Sequence, residues 1–366
     1  MRIFLLASVN PFAPTASGVR SYVLALAREL AARGEEVVVL GIGPQKFIVD
    51  GFEFVPVIDR ISNAFQFALA AMRFARKHSN LRGIVHGQRP DDLVGFHLLA
   101  QHVPTLVTLH GAHGLVVLDR RGRVVGSMYR AVERYSLSRT RAILCVSPRT
   151  QAYFEANYPH LRDRLHSIPA GIDMDLFRPH DRDGARARFG MSEAARVVLF
   201  VGRFEQEKNP LDAMAAYFWV WERHPETRLV MVGNGKLASP LREWAAGTPA
   251  PVEILDSVSQ EELAWLLSAA DVLVVASRNE GLPTVALEAL AAGTPVVGTS
   301  VGLLPDIVKP GVNGYLVDQI SELPFFLERA LCETRWATDR CRETVRAFGW
   351  DRVAPAVLEV YHEISS

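Results

Sequence analysis

Apolar residues in this chain follow two alternating rhythms. Short apolar runs at 3–7, 37–40, 83–86, 105–109 and 142–146 have the length and β-branched content of buried strands. Between them lie stretches whose apolar positions recur every three or four residues. These are 19–33, with Tyr22, Leu26 and Leu30 on one face, then 62–78, 91–101 and 128–138. Such βα alternation predicts a parallel sheet covered on both faces. The pattern then restarts, with strands at 197–201, 229–232, 252–255, 272–275 and 295–298 and helices at 210–223, 260–270 and 283–292. The expected fold class is therefore α/β, two doubly wound, Rossmann-like domains in series. Pro169, Gly171 and Pro179 punctuate the join, near 168–179. A last amphipathic stretch, 350–364, has no following strand to feed.

Length agrees with two domains, since 366 residues exceed what one hydrophobic core ordinarily organises. A hydrophobic content of 49% with 22% charged residues excludes a disordered chain. No apolar run approaches the roughly 20 residues of a membrane span. The start, Met-Arg running straight into a strand, lacks the apolar region of a secretory signal. Cys145, Cys332 and Cys341 show neither a CxxC nor a Cys/His spacing, which points away from a disulfide framework and a zinc site. A cytoplasmic setting is expected. Net charge is zero but unevenly placed: residues 1–170 hold 21 Lys+Arg against 12 Asp+Glu, leaving 19 against 28 for the remainder. The first half is basic, the second acidic.

Open parallel sheets bind ligands beyond the carboxyl ends of their strands, where strand order reverses, so candidate chemistry belongs just after strands. One such segment is Arg278-Asn-Glu280-Gly281-Leu282-Pro283-Thr284-Val-Ala-Leu-Glu288, a strand exit leading into a helix. Amides of Gly281, Leu282, Thr284 and Val285 at a helix start have no intrahelical acceptor and can donate to a sugar hydroxyl or a phosphate. Glu280 and Glu288 can accept from vicinal hydroxyls on two parts of one long ligand. Taken alone, such a pair is better explained as solvated helix-start acids favoured by the helix dipole; its position after a strand changes that. A second segment, Gly202-Arg203-Phe-Glu-Gln-Glu-Lys208-Asn-Pro, also follows a strand. Gly202 permits close backbone approach, while Arg203 and Lys208 offer a guanidinium fork and an ammonium to a diphosphate. Asp173-Met-Asp175 could hold a divalent metal but falls in the interdomain segment. Gly41-x-Gly43 lacks the third glycine of a dinucleotide fingerprint and reads as a turn.

Together the two segments resemble the donor-binding half of the GT-B fold glycosyltransferases of family 4, the large retaining group with a Glu–x7–Glu signature. The likeness extends through Ser17-Gly18, Thr108-Leu-His110-Gly111, Cys145-Val-Ser147, Ile168-Pro-Ala-Gly171-Ile-Asp173, Gly233-Asn-Gly235, Ala292-Gly293-Thr-Pro295 and the terminal Phe348-Gly-Trp350 helix. The resemblance implies a donor-binding domain over 170–349. It implies an acceptor-binding domain over 1–169, onto which the helix at 350–366 crosses back, with the ligand cleft between them. By the same resemblance Arg203 and Lys208 grip the donor diphosphate, and Glu280, Gly281, Leu282, Pro283 and Thr284 hold the transferred sugar. Glu288 takes the ribose, Gly202 and Gly18 admit the backbone close to the phosphates, and His110 lines the reaction centre. Neither a metal nor another cofactor is implied. Ser17-Gly18 and Glu280-Gly-Leu-Pro283 depart from the family's commoner Gly-Gly and Glu-Gly-Phe-Gly, and Pro283 lacks one amide donor. The retaining outcome rests on the resemblance alone, because no carboxylate stands out as a nucleophile for the far face of the sugar.

The expected reaction moves a sugar from a UDP-, GDP- or ADP-sugar to a hydroxyl of a glycan or lipid-linked acceptor. Around 62–78, Phe65, Phe67, Leu69, Met72 and Phe74 alternate with Arg73, Arg76 and Lys77; Arg120, Arg121, Arg123, Arg130, Arg134, Arg139 and Arg141 follow. Such a face suits the anionic cytoplasmic surface of a membrane, or is an ordinary sheet-packing face with solvated arginines. No nucleic-acid reading motif is present. A nucleotide-sugar epimerase or a sugar phosphorylase of the same fold, and a non-catalytic nucleotide-sugar module, are the alternatives.

Overall fold

The computed structural model describes residues 1–12, 18–61, 63–111, 113–280, 283–332 and 336–365, with the side chains of 113–121 and 123 excepted. Two compact units emerge, Met1–Gly171 with Trp350–Ser366, and Ile172–Gly349.

The first unit carries eight strands among its described residues. They are β1 (Arg2–Leu6), β2 (Glu36–Ile42), β3 (Phe47–Val49), β4 (Phe52–Ile58), β5 (Ile84–Gly87), β6 (Thr105–Leu109), β7 (Ala142–Cys145) and β8 (Leu165–Ser167). Their order is β3-β4-β2-β1-β5-β6-β7-β8, and all are parallel except β3, which returns antiparallel beside β4. Strand order therefore reverses between β1 and β5. β4 escapes the hydrophobic pattern because Pro56 interrupts it, and proline cannot donate to a ladder. The ladder accommodates it by shifting register: Gly41 faces Pro56, and Ile42 faces Ile58. Gly41, read from sequence as a turn, thus lies inside β2, where a Cβ would come 2.6 Å from the Val9 carbonyl.

Several helices differ from their sequence patterns for visible reasons. Residues 62–78 form Ala64–Lys77, capped by the Asn63 side chain accepting from the Gln66 amide; Ser62 lies outside the described residues. Residues 91–101 divide into a tight 3₁₀ turn, Pro90–Leu93, and a short helix, Val94–Leu99. The stretch 128–138 belongs to a longer helix, His113–Arg139, interrupted at Gly122 (φ 80°, ψ 172°), a conformation that glycine adopts readily.

The last helix, Trp350–Ser365, packs on the first unit. Trp350 lies against Gly171, where a Cβ would come 2.3 Å from the indole, and Arg141 donates to the Ile364 carbonyl at 2.9 Å. The Tyr361 hydroxyl is 2.6 Å from Nδ1 of His86, whose Nε2 is 2.7 Å from the Thr108 hydroxyl. His86 is fully buried, and burial with the nearby His110 pushes its pKa down to about 3, so the ring is neutral.

The second unit has β9 (Arg196–Val201), β10 (Thr227–Val232), β11 (Val252–Leu255), β12 (Val272–Val275), β13 (Val296–Thr299) and β14 (Gly314–Val317). They are all parallel, in the order β11-β10-β9-β12-β13-β14, so its reversal lies between β9 and β12. Val197, Val198, Leu199, Leu273 and Val274 are buried, as expected for strands covered on both faces. The helix Gln260–Ala269 opens with a reciprocal Ser259–Glu262 capping box. Asp173 spends its carboxylate on the amides of Asp175 (3.0 Å) and Leu176 (2.8 Å), forming a local turn. Among the described residues no helix is long and apolar enough to cross a membrane.

Candidate active site

In the second unit, Gly202 and Arg203 leave the end of β9, and Ser277 to Glu280 follow β12, so both segments stand at the strand-order reversal. They are joined directly. The Lys208 ammonium pairs with Oε1 of Glu280, and the Arg278 amide donates to the Glu207 carbonyl at 2.9 Å. The Ser277 hydroxyl donates to the same Glu280 oxygen at 2.8 Å. Glu280 is largely withdrawn from water, its side chain only 10% exposed. Asn209, next to Lys208, adopts left-handed backbone (φ 53°), and the helix Pro210–Trp221 follows at once. The turn thereby directs Lys208 back toward β12. Arg203 is 56% exposed and paired with Glu207, four residues further along the loop.

Glu288 lies on the helix Thr284–Ala291 and is 8% exposed, with no hydrogen-bond partner for its carboxyl among the described residues. Burial pushes its pKa up to about 7. Sequence spacing placed Pro283 at the first helical position; its ψ of 88° instead puts it at the cap, with Thr284 first. Amides of the first turn have no acceptor within the helix. Gly281 and Leu282 lie outside the described residues. At Gly202 an added Cβ would meet nothing closer than 3.8 Å, so the fold does not require glycine there.

Around the reversal of the first unit, His110 follows β6 and Gln88 follows β5. The His110 Nε2–H donates to Oε1 of Gln88 at 2.8 Å. Tyr22 meets the His110 ring edge-on, centroids 5.1 Å apart. Gly18 opens the helix Gly18–Ala32 and is exposed; Ser17 lies outside the described residues. Among the described residues no group of three His, Cys, Asp or Glu side chains could hold a metal ion.

Residues 16–176 match the family described as Glycosyltransferase Family 4, and residues 181–322 match Glycosyl transferases group 1. A D-inositol 3-phosphate glycosyltransferase of Mycobacterium avium is 30% identical over 96% of this chain and 90% of its own length. The chain belongs to the family 4 glycosyltransferases. A protein of the same description from Nocardioides is 37% identical over 54% of this chain, a stretch spanning about half (48%) of that relative. Among solved structures, sucrose-phosphate synthase from Thermosynechococcus elongatus superposes with a TM-score of 0.84 at 24% identity, covering 100% and 99% of the two chains. HepE of Anabaena in complex with UDP gives 0.77 at 17% identity, covering 99% and 100%. The fold is GT-B, built from two Rossmann-like units.

Against this family membership the site residues divide by what the chain itself makes of them. Lys208 and Glu280 are brought together, Arg203 stands on the same loop as Lys208, and Glu288, on the helix that follows Glu280, has no partner among the described residues. Sequence reasoning missed Ser277 as the support of Glu280 and Gln88 as the partner of His110. Each is a polar residue just past a buried strand, which was the available signal.

The raised Glu288 pKa has a definite sign. The folded state holds this proton more tightly than the unfolded chain, so its contribution favours folding below about pH 4.5 and is lost as pH rises through about 7. At about 1.4 kcal/mol per pH unit the loss amounts to about 3 kcal/mol. Glu288→Gln is therefore expected to unfold at a higher temperature than wild type at pH 8 and to lose that advantage near pH 4.5. Melting curves of both proteins across this range check it; a constant gap would refute it.

Proposed function

We propose that this chain transfers a sugar, with retention at the anomeric carbon, from a nucleotide-sugar to an acceptor hydroxyl. The observation that carries this is the pairing of Lys208 with Glu280 at the strand-order reversal, with the buried Glu288 carboxyl on the helix that follows. In this assignment Arg203 and Lys208 take the diphosphate and stabilise the charge that develops on it as the glycosidic bond breaks. Glu280 with the segment 281–284 takes the sugar, and Glu288 the ribose. The first unit, with Gly18 opening its first helix and His110 just past β6, takes the acceptor side. With no nucleophile assigned, the departing phosphate draws the acceptor proton on the same face of an oxocarbenium-like sugar. Neither a metal nor another cofactor takes part in the assigned chemistry.

Both cations are already neutralised by carboxylates of the chain, so donor binding exchanges one ion pair for another. The test is thermal stabilisation by UDP, GDP, ADP and their sugar conjugates. One nucleotide is expected to raise the midpoint of wild type by several degrees, and that of Arg203→Ala and Glu288→Ala by much less. Equal stabilisation of all three proteins would place the donor elsewhere.

The acceptor is a glycan or lipid-linked hydroxyl. Exposed Val124, Met128 and Val132 recur at four-residue spacing on the helix ending at Arg139, among exposed Arg130 and Arg134. Exposed Leu98 lies on the neighbouring helix Val94–Leu99, and exposed Phe65 on Ala64–Lys77, which packs against that helix in turn. An apolar stripe set in cations suits an anionic membrane surface at the cytoplasmic face. Arg120, Arg121 and Arg123 would extend it, but their side chains lie outside the described residues. Wild type is expected to sediment with vesicles containing phosphatidylglycerol and not with phosphatidylcholine alone, and Val124→Asp/Met128→Asp to remain in solution. The names of the sequence relatives favour a second acceptor, a cyclitol phosphate. Turnover with soluble inositol phosphate by a protein that ignores vesicles would select it.

A further inference from the structure

Asp92 is a buried acid that the assigned chemistry does not use. It lies in the 3₁₀ turn Pro90–Leu93, just past β5, and is fully buried. Neither of its carboxyl oxygens has a hydrogen-bond partner among the described residues. The neighbouring Asp91, by contrast, accepts from Arg89 Nε and from the Tyr129 hydroxyl, each at 3.1 Å, and from Arg89 Nη2. The guanidinium nearest in sequence is thus spent on Asp91. An ionised carboxylate with no hydrogen bond is very costly to keep from water; a neutral acid costs only an unmet polar group. Burial first, then the Asp91 charge, with Arg89 opposing, raises the Asp92 pKa well above its ordinary value.

The turn packs against three helices, Ala64–Lys77, Val94–Leu99 and His113–Arg139, as well as β5. The titratable groups described on these elements are engaged elsewhere or face water. Arg73, Arg76 and Lys77 are exposed, as are Arg130, Arg134 and Arg139. Tyr129 is bonded to Asp91, Tyr135 lies under Arg139, and Glu133 accepts from the Tyr158 hydroxyl at 2.8 Å. His97 is 3.0 Å from the Thr105 hydroxyl, and His86 is held by Tyr361 and Thr108. None of these groups bonds Asp92.

We propose that Asp92 is a proton-held latch: the turn stays seated among the three helices while the carboxyl is neutral, and leaves its seat when the carboxyl ionises. The latch does not depend on which unit takes the acceptor. Its sign is fixed. The seated turn holds the proton more tightly than the opened one, so its stabilisation is complete below the ordinary carboxylate range. That stabilisation is lost as pH rises toward the raised value.

The test is hydrogen exchange at the amides of 88–99, corrected for the intrinsic pH dependence of exchange. Asp92→Asn keeps the shape of the side chain but cannot ionise; Asp92→Ala is the second comparison should the amide pack poorly. The ratio of opening in wild type to opening in either variant is expected to rise about tenfold per pH unit from about pH 5. The rise stops where the seated carboxyl itself ionises. Burial pushes His97 down to about 4, so that residue favours opening as pH falls below about 6.5. It is common to all three proteins and cancels in the ratio. A ratio independent of pH overturns the latch. So does a rise shared equally by the amides of β1 and β2, because Asp92 would then act on the stability of the whole unit and not on the turn.

Discussion

Lys208→Ala is expected to lower kcat/KM by about two to three orders of magnitude, equivalent to about 3–4 kcal/mol of transition-state stabilisation. The size follows from where the lysine stands. Its side chain is about three-quarters withdrawn from water and meets a glutamate side chain more withdrawn still, where charge–charge interactions are less screened than at the surface. Arg203, by comparison, is more than half exposed, so its removal should cost less. A purely structural lysine would also be missed by Glu280, whose remaining partner is the Ser277 hydroxyl. The double variant Lys208→Ala/Glu280→Gln separates the two effects. It removes the unpaired buried carboxylate and should recover the melting temperature. If Lys208 acts on the donor diphosphate, turnover stays at the level of Lys208→Ala or below. Recovery of turnover together with stability would show that the lysine serves only its carboxylate.

The strands buried on both faces were legible from sequence because their signal is local: β7 and β12 run through continuous apolar residues. Strands whose existence depends on a neighbour were not. β14 opens on Gly314, where a Cβ would fall 1.8 Å from the Val296 carbonyl, so it is defined by contact with β13 rather than by its own composition. β4 is defined by a register shift that absorbs Pro56. The same division runs through the site. That Glu280 and Lys208 belong to one ligand could be inferred from the motifs that contain them. That they bind each other, with Ser277 beneath, needed the sheet order, because β9 and β12 are adjacent in space but about seventy residues apart in sequence. Gln88 had no motif at all. Its significance appears only when β5 is set beside β6.

Two glycines near the donor loop should respond in opposite ways to alanine, and the contrast is the second large effect expected. Gly233, just past β10, has φ 156°, and a Cβ there would fall 1.9 Å from the Gly202 carbonyl oxygen and 3.1 Å from the Phe204 ring. No flexible side chain can yield, because the obstacle is backbone. That backbone is pinned: the Gly202 amide donates to the Val232 carbonyl and the Phe204 amide to the Asn234 carbonyl, each at 2.9 Å. Gly233→Ala is therefore expected to destabilise the second unit by about 3–5 kcal/mol, the range for overpacking combined with backbone strain. In a unit of this size that lowers the melting temperature by about 10 °C. Gly202 is free of such contacts, its nearest prospective neighbours lying at 3.8 Å. Gly202→Ala should melt with wild type and lose nucleotide stabilisation instead, because the added methyl occupies space facing the ligand rather than the core. Calorimetry of the two variants with and without nucleotide distinguishes the roles. If Gly202→Ala melts early, or binds nucleotide as wild type does, its glycine serves the fold and the diphosphate is held away from the end of β9.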